Sequence, residues 1–265
     1  MNAEDITRAA AHHLAQLRQN QQLVAFPDNL RPGDEGQAYA VQMALHQWQQ
    51  ENGQGALAGY KIGCTTPVMQ DILKIPNPAF GGVLEKRVFR DHAEFPMAEF
   101  HKPGIECEIV LRLGADLPFG NAPYTRDTVT PAIASCAAAI ELVDNRYGDF
   151  LSAGAPVMIS DNFFQSACIL GTDVKGWQEL DLALVEGRTF VNGKLMGSGP
   201  GSDVLGHPLE ALVWLANRFA AMGRSLKAGD IIMTGSLVAV QWIDAAPADI
   251  MISIDGLGDV SLRLE

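Results

Sequence analysis

Many strand-like runs, few helix-like ones and no regular alternation of the two predict an α+β or mostly β fold for this chain. Short apolar runs recur from Gly59 to the C-terminus, while helical periodicity is concentrated in the first fifty or so residues. The 265 residues allow one large domain, or one domain with a smaller part, and 48% apolar residues are enough for a full core. The expected division is an N-terminal helical cap over 1–55 and a β domain over 56–265.

The elements follow in order. Ile6, Ala10, Leu14 and Leu17 recur at helical spacing and predict an amphipathic helix from Ala3 to Gln21. His12 and His13 lie on it and read as surface or boundary residues. A second helix is expected over Asp34–Glu51, with Ala38, Val41, Leu45 and Trp48 on one face and Asn52-Gly53 as its stop. The run GYKIGCTT, Gly59–Thr66, reads as a strand leading into a short helix, Pro67–Leu73. PNPAFGG, Pro76–Gly82, reads as a turn or loop. GIECEIVLRL, Gly104–Leu113, is a strand bounded by Pro103 and Gly114.

Thr130-Pro131 has the chemistry of a helix start, so PAIASCAAA is expected to be helical before AIELVDNRY turns to strand. Strand-like segments follow at FFQSACILG and Leu180–Val191, the latter ending in the hairpin turn Asn192-Gly193. His207 precedes a helix over Pro208–Met222 and reads as a loop or capping residue. GDIIMTGS, Gly229–Ser236, is a strand entering a Thr-Gly-Ser turn. Alternation of Ile250, Ile252 and Ile254, then of Val260, Leu262 and Leu264, around Asp255-Gly256 predicts a closing hairpin.

The chemistry-bearing residues are acids in apolar surroundings. Glu106 and Glu108 are two apart on a strand and project from one face. Two carboxylates together on an apolar strand are costly unless neutralised, and a hard divalent cation with oxygen ligands would neutralise them. A solvated strand face is the alternative. Glu141 is a third acid of this kind, with Arg146 as an alternative salt-bridge partner. Lys61 either snorkels to solvent or faces the carboxylates as a buried ammonium that binds an anion or moves a proton. A net charge of −12 argues against nucleic acid and anionic membranes as partners. Cys64, Cys107, Cys136 and Cys168 show no CxxC spacing and read as reduced thiols of a cytosolic protein. There is no secretory signal pattern and no apolar run of membrane-spanning length.

GYKIGCT, GIECEI, AIELVDNRY, SDN, GSGPGSDVLGHPLEALVWLAN and GDIIMTG, in this order, resemble the fumarylacetoacetate hydrolase superfamily. They look most like its 2-keto-4-pentenoate hydratase and 4-oxalocrotonate decarboxylase branch. The resemblance runs from about residue 35 to the C-terminus. It implies a mixed β-roll core with flanking helices and a helical N-terminal cap. It implies Mg²⁺ or Mn²⁺ held by Glu106, Glu108 and Glu141, with open positions for water and substrate. Motif matching places catalytic roles on Lys61, Ser160 and Asp161, and substrate binding on Lys61, Ser160, Thr234 and Gly235.

The substrate it implies is a small anionic 2-oxo or 2-hydroxy-dienoic acid from aromatic meta-cleavage, and the assembly a homo-oligomer. The implied reaction is hydration to a 4-hydroxy-2-oxo acid. One departure favours decarboxylation as the alternative: hydratases of this type carry Pro-Asp-Phe/Tyr-Gly, and this chain has Pro78-Ala79-Phe80-Gly81. An acylpyruvate-type C–C hydrolase would need a His–Glu pair in a lid, which the sequence does not offer. A non-catalytic binder of oxo acids is the remaining alternative.

Overall fold

The computed structural model describes residues 1–18, 23 and 26–265. Its helices are α1 (Ala3–Arg18), α2 (Glu35–Gln49), α3 (Pro67–Leu73), α4 (Arg126–Val129), α5 (Phe150–Ala153), α6 (Ala155–Ser160) and α7 (Pro208–Ala221). The expected end of the first helix, 19–21, lies outside the described residues. The strands are β1 (Leu57–Gly63), β2 (Ala79–Leu84), β3 (Val88–Arg90), β4 (His92–Phe95), β5 (Pro103–Leu113), β6 (Ile133–Asp144) and β7 (Gln165–Leu170). They continue as β8 (Glu186–Val191), β9 (Lys194–Pro200), β10 (Ile231–Ser236), β11 (Gln241–Trp242), β12 (Ala248–Ile254) and β13 (Gly258–Leu264).

These strands form two mixed sheets. The larger runs β2-β1-β10-β5-β6-β7-β3, with β11 beside β5. The smaller runs β4-β13-β12-β8-β9 and contains both predicted hairpins. β1 and β10 are parallel, as are β3 and β7, while β10, β5, β6 and β7 pair antiparallel in turn.

The larger sheet is buried on both faces, and that decides where the acids lie. One face of β6 (Cys136, Ala138, Ile140 and Leu142) joins the main core. The other face carries a separate apolar cluster that includes Val110, Ala137, Ala139, Cys168 and Met233. Side-chain alternation puts Glu106, Glu108 and Glu141 on the same side as this second cluster. The acids therefore lie against an apolar interior, not on a solvated face.

Three expectations are corrected. Only Thr130–Ala132 makes a helical turn after the Thr-Pro signal, and Ile133–Asp144 is one twelve-residue strand. Alanine favours helix locally. Here pairing to β5 on one side and β7 on the other satisfies the backbone. A doubly buried strand also loses the alternation that would identify it. The segment expected as a loop, Pro76–Gly82, enters β2 from Ala79 onward, and every residue of that strand is buried. His13 is only 1% exposed, not a surface residue.

The two N-terminal helices are continuous with the main core. Ala9 and Ala10 of α1, and Ala38 and Val41 of α2, join the cluster that holds the sheet residues. Helix α2 starts at an Asp34 cap whose side chain accepts from Gln37 N.

Candidate active site

Strand register assembles the acids. Glu106 of β5 lies directly opposite Glu141 of β6, and Glu108 lies opposite Ala139. Glu108 is thus the diagonal neighbour of Glu141 on the same face, within side-chain reach. One carboxylate oxygen from each of Glu106, Glu108 and Glu141 lies within 4.8 Å of the others. Glu108 and Glu141 are fully buried, while Glu106 is partly open to a cavity of about 1080 Å³.

Lys61 completes the cluster. It is 2% exposed, so the snorkelling alternative does not hold. Its Nζ is 3.3 Å from Glu141 Oε1 and donates to the Phe163 carbonyl at 2.8 Å. Glu141 therefore pairs with Lys61 and not with Arg146. That carbonyl is aimed by three consecutive left-handed residues, Asn162, Phe163 and Phe164, with φ of 61°, 52° and 67°. Such conformations cost on the order of 1–3 kcal/mol each outside glycine and persist only where surroundings enforce them.

Asn162 is the enforcing residue. Its amide nitrogen donates to Gly82 O at 2.8 Å, and its side-chain oxygen accepts from Gly82 N at 2.7 Å. That oxygen also accepts from His46 Nε2 at 2.9 Å. A side chain at position 81 would meet this assembly, because a Cβ on Gly81 would lie 2.7 Å from Asn162 Oδ1.

Burial and mutual repulsion set the electrostatics. Burial, then the Glu141 charge, pushes Glu106 up to about 7, against the pull of Lys61. Burial, then the charges of Glu141 and Glu106, holds Glu108 well above the carboxylate range. Burial also raises Glu141, opposed by Lys61. Burial would lower Lys61, but Glu141, Glu106 and Glu108 outweigh it and keep the ammonium charged.

The cluster has the chemistry of a hard-cation site. Glu108 Oε1 and Glu141 Oε2 are buried oxygens without a hydrogen-bond partner. Such orphans are costly unless something else satisfies them. The ligand set is all oxygen. With three carboxylates ionised and Lys61 charged, a divalent cation makes the group neutral.

Of the other sequence-predicted site residues, Gly235 reaches the cavity and Ser160, Asp161 and Thr234 do not line it. Ser160 ends α6, is buried and donates its hydroxyl to Pro156 O at 2.7 Å. Asp161 is buried between His13 Nε2, at 2.9 Å from its Oδ1, and Arg146 Nη2, at 2.9 Å from its Oδ2. Neither is among the cavity-lining residues, so direct contact with a substrate there does not follow from this geometry. Thr234 is buried, and its hydroxyl donates to Ile109 O at 2.9 Å. Gly235 does line the cavity, with φ of 109°. Its N–H donates to Glu108 Oε2 at 2.9 Å, so the turn amide holds one of the protein's own acids.

Sequence reasoning missed the support for this arrangement. Gln42 of α2 donates to Phe80 O and Ile159 O, tying β2 to α6. His46, one helical turn on, is pushed down to about 4 by burial and stays neutral. The available signal was two polar residues at i and i+4 on the apolar face of α2. His207, in contrast, caps α7 by accepting from Leu209 N, as expected. The His92–Glu94 contact lies exposed on β4, and neither residue lines the cavity.

Comparison with known proteins gives a consistent result. Residues 76–265 match the family model described as fumarylacetoacetate (FAA) hydrolase C-terminal. A 2-keto-4-pentenoate hydratase of Burkholderia vietnamiensis is 33% identical over 88% of this chain and 87% of its own. A 2-hydroxyhexa-2,4-dienoate hydratase of Comamonas testosteroni is 32% identical over 93% and 92%. The structure of 4-oxalocrotonate decarboxylase from Pseudomonas putida G7, complexed with magnesium and adipate, superposes with a TM-score of 0.91 at 25% identity. That match covers 100% of this chain and 99% of the other.

Proposed function

Since this chain belongs to the fumarylacetoacetate hydrolase family, we propose that it is a metal-dependent hydratase, a carbon–oxygen lyase of the 2-oxopent-4-enoate type. Its substrate is a short 2-hydroxy-2,4-dienoate from aromatic meta-cleavage, and its product a 4-hydroxy-2-oxo acid. The observation that carries this reading is the cluster of three acids and one buried lysine, of which Glu106 and Lys61 line the cavity.

Glu106, Glu108 and Glu141 would hold Mg²⁺ or Mn²⁺. A bound divalent ion supplies Lewis acidity for the C1 carboxylate and C2 oxygen of the substrate. Gly235 N–H fixes Glu108, and Lys61 fixes Glu141, so both acids are oriented before any ligand arrives. Glu106 is the one of the three acids that lines the cavity.

Hydration delivers protons to two carbons and the water oxygen to a third. The dienol takes a proton at C5 as C2 becomes a ketone, water attacks C4, and C3 takes the last proton. Lys61 Nζ lies on the cavity wall beside Glu141 and is placed to deliver the proton and recover one from the attacking water. We place the enzyme in the cytoplasm as a homo-oligomer, in keeping with its four free, buried cysteines.

Decarboxylation is a second reading, favoured by Ala79 in place of the expected acid and by the decarboxylase superposition. The two are separated by an ultraviolet assay with Mg²⁺, an EDTA control and mass-spectrometric product identification. Gain of one water by 2-hydroxypenta-2,4-dienoate, abolished by EDTA, is the expected result. Loss of CO₂ from 2-oxohex-3-enedioate with the dienoate untouched would establish the second reading.

A further inference from the structure

We infer that the outer face of the smaller sheet, along Met251, Phe190 and Leu195, is where a second copy of this chain docks. The inference names the face on which two copies meet and is independent of the hydratase reading.

Strand register sorts the residues of this sheet. Ile250, Ile252 and Ile254 of β12 and Thr189 of β8 are buried on its inner side. The residues between them point the other way. An antiparallel sheet with one wet face carries polar residues on that face. β13 and β4 do so, with Asp259, Ser261 and Arg263 on the first and His92 and Glu94 on the second. β12, β8 and β9 depart from it. Met251 lies opposite Phe190, and Phe190 lies opposite Leu195. A bulge in β9 adds Met196 beside them. Leu195, Met196 and Met251 are 51%, 44% and 38% exposed. None of these four residues belongs to either apolar cluster of the interior. Large apolar side chains thus form a strip across three strands, and an apolar strip inside a polar border is the pattern of a protein–protein contact.

The charges select the partner. Two residues from Met251 in one direction along β12 is Asp249, paired with Arg263 at 2.6 Å. Two residues in the other direction is Ser253, opposite Arg188, which pairs with Asp255 at 2.7 Å. The strip is therefore flanked on both sides by an Arg–Asp pair. A second copy turned face to face lays one such pair on another, so each arginine finds a carboxylate across the contact and the face is complementary to itself. A nucleic acid or anionic membrane would meet Asp249 and Asp255 on a chain of net charge −12. A border of both signs gives no single-sign field for a strongly charged protein of another kind.

Analytical ultracentrifugation of the full chain tests this. The expected mass is at least twice the 28.5 kDa of one chain, and Met251→Lys is expected to reduce it by half or more. A monomeric wild type, which would leave the face to some other partner, would overturn the inference. So would an assembly that persists in Met251→Lys. Cross-linking with a short bis-maleimide decides the matter even where the lysine variant folds poorly, since the four native cysteines are buried. Met251→Cys should form a covalent dimer at least tenfold faster than Asp127→Cys, exposed on α4. Equal rates would overturn the inference. No arm reads turnover, so failure here leaves the hydratase reading standing, and a failed hydratase assay leaves the docking face standing.

Discussion

Lys61 is the residue on which chemistry and electrostatics meet. It is buried against Glu141 and bonded to the Phe163 carbonyl. Replacing it with methionine removes the proton carrier but leaves the three acids. Lys61→Met should lower kcat by a factor on the order of 10² to 10⁴. Its Mg²⁺ affinity by calorimetry should change less than tenfold, because a repelling charge and the contact that orients Glu141 are lost together. Full turnover with metal bound would show that Lys61 moves no proton. Glu141→Gln removes one ligand oxygen's charge and should weaken Mg²⁺ at least tenfold in the same titration. At this scale the acids and the lysine were legible, since charged residues inside apolar strands stand out. His13 was not. On a helix otherwise patterned as amphipathic it reads as a boundary residue, and its partner Asp161 is far along the chain.

The elements show how distant segments hold the site. α1 reaches Asp161 through His13, β6 leads into Arg146, and Asp161 leads directly into the left-handed turn that supports Lys61. Arg146 and His13 overcome the burial of Asp161 and hold its carboxyl below the usual range. Removing one partner of such a buried pair leaves an uncompensated charge. Asp161→Ala should therefore cost about 3 kcal/mol or more, read as a lower urea midpoint. His13→Ala, which leaves the Arg146 contact intact, should cost about 1–3 kcal/mol. Midpoints unchanged in both variants would exclude this latch. The strand assignments show where sequence patterns fail. The closing hairpin and the Asn192-Gly193 turn were legible because one face of the small sheet alternates. β2 and β6 were not, because strands buried on both faces lose that alternation, and alanine and glycine then read as helix or loop.

For the whole molecule, the acid cluster predicts a linkage between pH, metal and stability. Without metal, burial raises Glu106 to about 7, against about 4.5 for the ordinary group, and raises Glu108 and Glu141 as well. Between those values the folded state binds more protons than the unfolded state, so these groups lose stabilising effect as pH rises through that window. A cation requires the ionised acids and displaces those protons, so its effect runs the other way. The rise in Tm on adding Mg²⁺ should be small at about pH 5.5 and larger at about pH 8. A rise independent of pH would place the cation elsewhere. The family-level fold, with its roll of mixed strands and helical N-terminus, was legible from the order of motifs. The shared core between the two N-terminal helices and the sheets was not, since it depends on packing among residues such as Ala9, Ala38 and Ile140 that carry no signal of their partners.

Strands β5 and β6 bring three acids to one divalent-cation site. Anomalous diffraction at the manganese edge, from crystals grown with Mn²⁺, tests it most directly. A single strong peak within about 2.0–2.3 Å of oxygens from Glu106, Glu108 and Glu141 is the expected result. A peak elsewhere, or none in crystals of protein that is active with Mn²⁺, would contradict it.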